Sequence, residues 1–228
     1  MQIFSKKLLN CVQSGMPSGT IIFEKTTSGS ETVTIPEKGR YNIIAVGAGG
    51  GSALQAVFSG TAYVQVVAGG SGGYIEADFI LDAGSYTATV GAYGTCNFSN
   101  SNPLVTGGAG GVSSFGSLLT ANGGSGAYIK FAAPPVMTGG AGGGSSYSSS
   151  GLVSGTLKQI TGKTGATDRV YSTSQGAAER RTVAKTTSVY NGYGTGCGGT
   201  AYASRSTTSH EFYYGTNGYI KVTYVGKS

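Results

Sequence analysis

Ser71 stands in Gly69-Gly70-Ser71-Gly72-Gly73, the G-x-S-x-G spacing that presents a serine hydroxyl as a nucleophile on a sharp turn. A hydrolase using it would need a base and a carboxylate to orient that base. His210, the single histidine, and Asp168 are the available partners. The strand-turn-helix context that gives the motif meaning is missing, and so glycine-rich a chain produces this spacing by composition. "LKQITGKT" at 157–164 ends like a phosphate-binding loop, but Leu157 occupies the place of the leading glycine and no βαβ unit surrounds it. "GTGCGG" at 194–199 has the G-x-G-x-x-G spacing yet opens no helix. His210 beside Glu211 could touch a metal, but one histidine without companions makes no ligand set. Glu76, Asp78 and Asp82 share one strand face, where they are expected to be solvated and not to form the acid–base pair of a glycosidase. The expectation is a protein that is not an enzyme, with no catalytic residue, no metal and no cofactor.

Other chemistry lies in charge and thiols. Residues 151–209 hold seven bases against two acids, whereas the first 150 residues are balanced at six of each. Clustered bases suit nucleic acid, but no RNP, RGG, zinc-finger or helix-turn-helix pattern accompanies them, so nucleic acid is not expected. A solvated loop face or a patch that steers an acidic partner remains. The three cysteines, Cys11, Cys96 and Cys197, are far apart and odd in number, which gives neither a zinc site nor a disulfide framework. Free thiols are expected, and Cys96–Cys197 is the pair that could bridge two glycine loops.

The elements that position these groups alternate with period two. In "GYIEADFILDAG", Ile75, Ala77, Phe79 and Leu81 face one way and Glu76, Asp78 and Asp82 the other, with Ile80 the apolar exception. "TIIFEK", "ETVTIPEKG", "YNIIAV", "YTATV" and the closing "GYIKVTYVG" read as further strands, and no helical period of useful length follows residue 15. The chain is predicted to be all-β. Between the strands lie boxes of glycine, which is 42 of the 228 residues and far above the usual share of about 7%. Disorder does not fit, because 15 Tyr and 8 Phe accompany only 11% charged residues. Residues 41–75, 83–129 and 131–157 carry no charge at all. Such segments can run as polyglycine II helices, packed backbone to backbone and bonded laterally, where a charge would be costly to bury. An internal echo, "GGAGGVSSFGS" at 107–117 and "GGAGGGSSYSS" at 139–149, keeps an aromatic at one offset after its box, and "GYGTGCGGTAY" at 192–202 has the same sense.

"YNIIAVGAGGG", "GGYIEADFILDAGSYTATVGAYG", "GGAGGVSSFGSLLTANGGSG" and "TNGYIKVTYVG" together resemble the glycine-rich domain of bacteriophage tail-fibre and receptor-binding proteins, over about residues 20–226. The layout is also similar to the glycine-rich ectodomain of anaplastic lymphoma kinase and its leukocyte relative. The resemblance implies a tumour-necrosis-factor-like jelly-roll β-sandwich carrying packed polyglycine II helices, and a homotrimer is possible on that basis. It implies a structural component of a phage fibre or spike, located in the virion and extracellular after release. The alternative is a bacterial cell-surface or extracellular-matrix structural protein.

"MQIFSKKLLNCVQSG" lacks the layout of a secretory signal, so release by lysis or within a particle is expected. If residues 2–13 are helical, Phe4, Leu8, Cys11 and Val12 share a face. Residues 1–18 are therefore expected to dock onto other virion proteins or onto sister subunits, and 19–228 to form the glycine-rich domain. The partner expected at the other end is a bacterial surface glycan or outer-surface protein, met by loops 92–105 and 158–193. Tyr93, Asn97, Asn100, Tyr171, Arg180, Arg181, Tyr190 and Tyr193 are the candidate binding residues. Tyrosine supplies rigid amphipathic contact area, and arginine pairs with phosphate or carboxylate.

Overall fold

The computed structural model describes residues 15–59, 61–101, 103–131, 135–171, 178–205 and 207–228. Most of the expected docking segment, residues 1–14, and Cys11 within it lie outside these residues. Among the described residues the chain is all-β. It begins with β1 (Ile21–Lys25), β2 (Gly29–Ile35), β3 (Gly39–Val46), β4 (Ala53–Phe58), β5 (Ala62–Val67), β6 (Tyr74–Leu81) and β7 (Gly84–Val90). Seven short strands follow: β8 (Asn97–Ser99), β9 (Leu104–Thr106), β10 (Ser113–Phe115), β11 (Leu119–Ala121), β12 (Tyr128–Lys130), β13 (Val136–Thr138) and β14 (Ser145–Tyr147). The chain ends with β15 (Lys158–Ile160), β16 (Thr167–Tyr171), β17 (Glu179–Val183), β18 (Gly198–Ala203), β19 (Thr208–Tyr213) and β20 (Tyr219–Gly226).

Two β bodies result. In the first, sheets ordered β1-β20-β3-β6-β15 and β14-β11-β10-β7-β2 face each other. Alternation puts Ile75, Ala77, Phe79 and Leu81 of β6 inward, as the sequence predicts, against Ile43, Ile220, Val222, Val33, Ile35 and Phe115. Both sheets contribute to this core, so the body is a β-sandwich, and each fully buried Ile or Phe side chain contributes about 1.5–3 kcal/mol. In the second body the sheet β16-β5-β4-β8 has sheet β17-β18-β19 on one face and sheet β13-β12-β9 on the other. Leu54, Val64 and Val66 pack on Val183, Ala201 and Ala203, while Ala53 and Val67 pack on Val105, Ala127 and Ile129.

The chain alternates between these bodies, and its glycine boxes are the crossings. Residues 47–52 join β3 to β4, 68–73 join β5 to β6, and 91–96 join β7 to β8. The same holds for 107–112, 122–127, 139–144 and 161–166. The crossings bond laterally at every third residue. Gly47 and Gly50 donate N–H to Gly73 and Gly70 (2.9 and 2.8 Å), while Ala48 and Gly51 donate to Gly111 and Gly108 (3.0 and 2.8 Å). Gly69 and Gly72 reach Cys197 and Gly194, Gly70 and Gly73 reach Ser125 and Asn122, and Ala68 and Ser71 reach Ala166 and Lys163. Each residue class along a crossing thus serves a different neighbour. This is how backbone with no strand partner stays satisfied while buried.

The segment 158–193, expected as a loop, contains β15, β16 and β17 instead, and 92–105 contains β8 and the start of β9. The reason is positional. β15, β16 and β17 are each the edge strand of a different sheet, and lysine and arginine on an edge discourage further pairing. The charges that hid their strand character are the charges an edge strand carries.

A Cβ on Gly50 would lie 2.0 Å from the Ser125 carbonyl oxygen, whereas one on Gly144 would meet nothing within 4 Å. Gly50→Ala is expected to cost at least about 3 kcal/mol or to prevent folding. Gly144→Ala should change stability by less than about 1 kcal/mol, in the stabilising direction. Urea denaturation of the two variants checks this; equal effects would mean that the crossings yield to a methyl group.

Candidate functional site

The motif-bearing serine is built into the crossings. Ser71 is fully buried, and its Oγ accepts the Lys163 N–H at 2.7 Å. His210 lies exposed on β19 with its ring stacked on Phe98, centroids 4.0 Å apart. Asp168 is in β16 opposite Val66 of β5. The carboxylates of β6 are paired. Asp78 is buried and accepts from Arg40 Nε at 2.7 Å and Asn42 Nδ2 at 2.8 Å. Glu76 accepts from the Tyr74 hydroxyl at 2.5 Å and from Lys158 Nζ at 3.2 Å. The expected solvation therefore holds for neither, while Asp82 is exposed beside Lys38 as expected. The 150–156 segment runs along the edge of β6, with Val153 N–H donating to Asp78 O.

Across the outer face of the first sheet runs a ladder of tyrosines. Tyr190-Asn191-Gly192-Tyr193 is a tight turn with φ of 43° at Asn191 and 81° at Gly192, closed by Tyr193 N–H to Tyr190 O at 2.9 Å. Two successive positive φ values are what a two-residue type I′ turn requires, and Asn-Gly is the pair that tolerates them. The turn lays Tyr190 on Tyr74 (5.0 Å, stacked) and Tyr193 on Tyr219 (4.4 Å, stacked). Beneath them Ile44 and Val46 complete an apolar cluster. Burial pushes the Tyr74 and Tyr219 phenols up, and their hydrogen bonds to Glu76 and Glu24 add to it, so both stay neutral donors.

Beside this ladder, on the flank of the crossings, is a shallow groove of about 450 Å³. Tyr93, Asn191, Gly192, Tyr193, Thr216 and Asn217 line it, joined by Thr26 from the β1–β2 connection and by Gly215. None of these residues is charged. Tyr93 (40% exposed) meets Tyr214 (53% exposed) at 6.1 Å between ring centroids. The wall is fixed from behind: Asn217 Oδ1 accepts the Tyr93 N–H at 3.2 Å, and Thr216 Oγ1 donates to Gly192 O at 2.8 Å. A ring held this way offers a flat apolar face with a hydroxyl at its rim, and amides and hydroxyls stand next to it.

The candidate residues from sequence do not form one site. Tyr93 and Tyr193 share the groove, and Tyr190 packs behind it. Arg180 sits apart, on the outer face of sheet β17-β18-β19, over a hollow of about 410 Å³ with Tyr202, Ser209, His210 and Glu211. Arg181 is on the opposite face of the same strand, half-buried, with Nε lacking a hydrogen-bond partner. Period two separates these adjacent arginines. Asn97 donates Nδ2 to Thr106 O at 2.5 Å, and Asn100 is exposed beyond β8. Tyr171 ends β16, and its side chain lies outside the described residues. Sequence reasoning missed Thr26, Tyr214, Thr216 and Asn217, which reach the groove through the fold. The Asn-Gly pair between two tyrosines was the one local signal for it.

Burial alone would push the Glu76 carboxyl up, but hydrogen bonds from Tyr74, Lys158 and Asn42 outweigh it and hold the group below its ordinary value of 4.5. A depressed folded value contributes stability above the unfolded value and loses it as pH falls through the folded one. The stability difference between the wild type and Glu76→Gln is therefore expected to be full above about pH 4.5 and to vanish at lower pH. Urea midpoints measured across that range check the sign.

A family model described as a glycine-rich domain matches residues 26–227, nearly all of the chain. No curated protein matches it. The matched span contains the whole set of crossings and strands from β2 to β20, and on that coverage the chain belongs to the glycine-rich domain family.

Proposed function

We propose that this chain is a structural component of a bacteriophage fibre or spike that presents a rigid binding surface to a glycan of the host. The observation that carries the reading is the groove at Tyr93 and Tyr193, whose wall is built on cross-linked backbone and braced by Asn217 and Thr216. Pre-organised tyrosines bind with little entropy lost, since no loop must order on contact. Sugar rings present C–H faces that suit a flat aromatic side chain and hydroxyls that suit asparagine and threonine. In this reading the crossings are polyglycine II helices, supported by their lateral bonding at every third residue. Residues 1–18 attach the domain to other virion proteins. A homotrimer would repeat the groove and add avidity without new contacts.

Arg180 fits as a steering charge for an anionic envelope, because it is exposed on an outer sheet face. Two measurements test the proposal. Mass spectrometry of purified virions should find the chain in the particle; its presence on uninfected cells instead would overturn the reading. Tyr93→Ala is expected to weaken adsorption to host cells at least about tenfold with little change in melting temperature, as truncating a central anchor does. Arg180→Ala should flatten the salt dependence of adsorption, and Arg181→Ala should not, because only Arg180 faces outward. Unchanged adsorption in both Tyr93→Ala and Arg180→Ala would remove both surfaces from the binding face.

A further inference from the structure

Cys96 and Cys197 are far apart in sequence and are brought together where the 91–96 crossing and the β17–β18 connection enter the second body. Both are free, Cys96 half-buried and Cys197 fully buried. The two thiols are near enough for each to shift the other's titration, Cys96 downward and Cys197 upward. The surrounding backbone fixes them independently. Cys197 Sγ accepts the Gly215 N–H at 3.1 Å and lies 3.7 Å from Gly94 O, two residues before Cys96. Ser52 ties both segments, accepting the Asn97 N–H at 3.0 Å and donating Oγ to Gly198 O at 3.0 Å.

We propose that Cys96 and Cys197 are an oxidisable pair that closes to a disulfide on meeting a low-molecular-weight disulfide, locking the 91–96 crossing to the start of β18. The exposures set the order of events. The accessible Cys96 thiolate attacks one sulfur of the small disulfide, forming a mixed disulfide and expelling one small thiolate. Cys197, which no external disulfide reaches directly, gives up its proton and attacks the Cys96 sulfur. The Cys96–Cys197 bond forms, the mixed bond breaks, and the second small thiolate leaves. Two protein thiols are oxidised and one disulfide is reduced to two thiols, which take up the two protons. The hydrogen bond from Cys197 holds the Cys96 thiol below its ordinary range, so the first attacker is the better thiolate. Tyr93 lies three residues before Cys96 and Tyr193 four before Cys197, so the bridge ties together the two segments that carry the groove tyrosines. The inference does not depend on what the groove binds.

The test uses the full chain with Cys11→Ser, treated with oxidised glutathione at neutral pH. The expected result is loss of both remaining free thiols without retained glutathione, and a peptide linking residues 96 and 197. The melting temperature should rise on the order of 10 °C, because the bridge closes a loop of about 100 residues, and dithiothreitol should reverse the rise. Cys197→Ser should keep glutathione on Cys96. If Cys11→Ser does not fold, the same peptide mapping on the unsubstituted chain replaces it. Two thiols that stay free, or glutathione that stays on Cys96 with Cys197 present, would overturn the proposal. A linked peptide with no rise in melting temperature would overturn the lock.

Discussion

The structure depends on one kind of contact, backbone against backbone with no Cβ between. A methyl group on Gly50, Gly69, Gly72, Gly123 or Gly124 would lie about 2 Å from a carbonyl oxygen or carbon of a neighbouring crossing. At that separation the neighbouring N–H groups reach carbonyls at 2.7–3.1 Å, and the buried backbone is satisfied without a sheet. The entropy lost in ordering each glycine, about 0.5–1 kcal/mol beyond alanine, is offset by this bonding. The same closeness explains the charge-free windows, since a charged side chain packed among crossings would have neither room nor water; Lys163, the one charge in a crossing, is exposed.

From this contact the rest of the architecture follows. Each crossing carries the chain between the β-sandwich and the three-layered second body, so strands adjacent in sequence, such as β3 and β4, belong to different sheets. The short strands, three residues in β8 to β15, would be marginal alone. They persist because the crossings on either side are already held laterally. The echo of 107–117 and 139–149 is the trace of this repetition. Both copies are a crossing followed by a strand of one sheet, and Phe115, Leu119 and Tyr147 pair along a single rung of it.

The fold was legible where one rule governed a segment. Alternation placed Ile75 to Leu81, and absence of charge marked every crossing except 161–166, which carries Lys163. It was less legible where two demands shared a strand. Residues Glu179–Val183 carry two arginines because β17 is an edge, and their charge read as a loop. The groove was legible in its tyrosines and not in its assembly. Tyr93 and Asn217 are joined by a hydrogen bond across 124 positions, and no local pattern encodes that distance. Asp78 reads as solvated from alternation alone; Arg40 and Asn42, both on the neighbouring β3, hydrogen-bond its carboxylate, and that pairing is set by sheet order.

Lateral bonding also separates what holds the molecule together from what it shows to its surroundings. In a loop, the side chains hold the backbone in shape, so changing them changes the shape. In a crossing most of the backbone is held by neighbouring backbone, and side chains on its outer flank are released from that task. Tyr93 shows the difference: its N–H is fixed by Asn217 while its ring stands 40% exposed. Tyr193 is intermediate, with one ring face on Tyr219 and the other on the groove. Tyr190, fully engaged on Tyr74 and Tyr219, belongs to the scaffold. A gradient from scaffold to surface therefore runs through three tyrosines on one flank of the crossings, and substitution becomes cheaper for stability along it as the ring leaves the ladder.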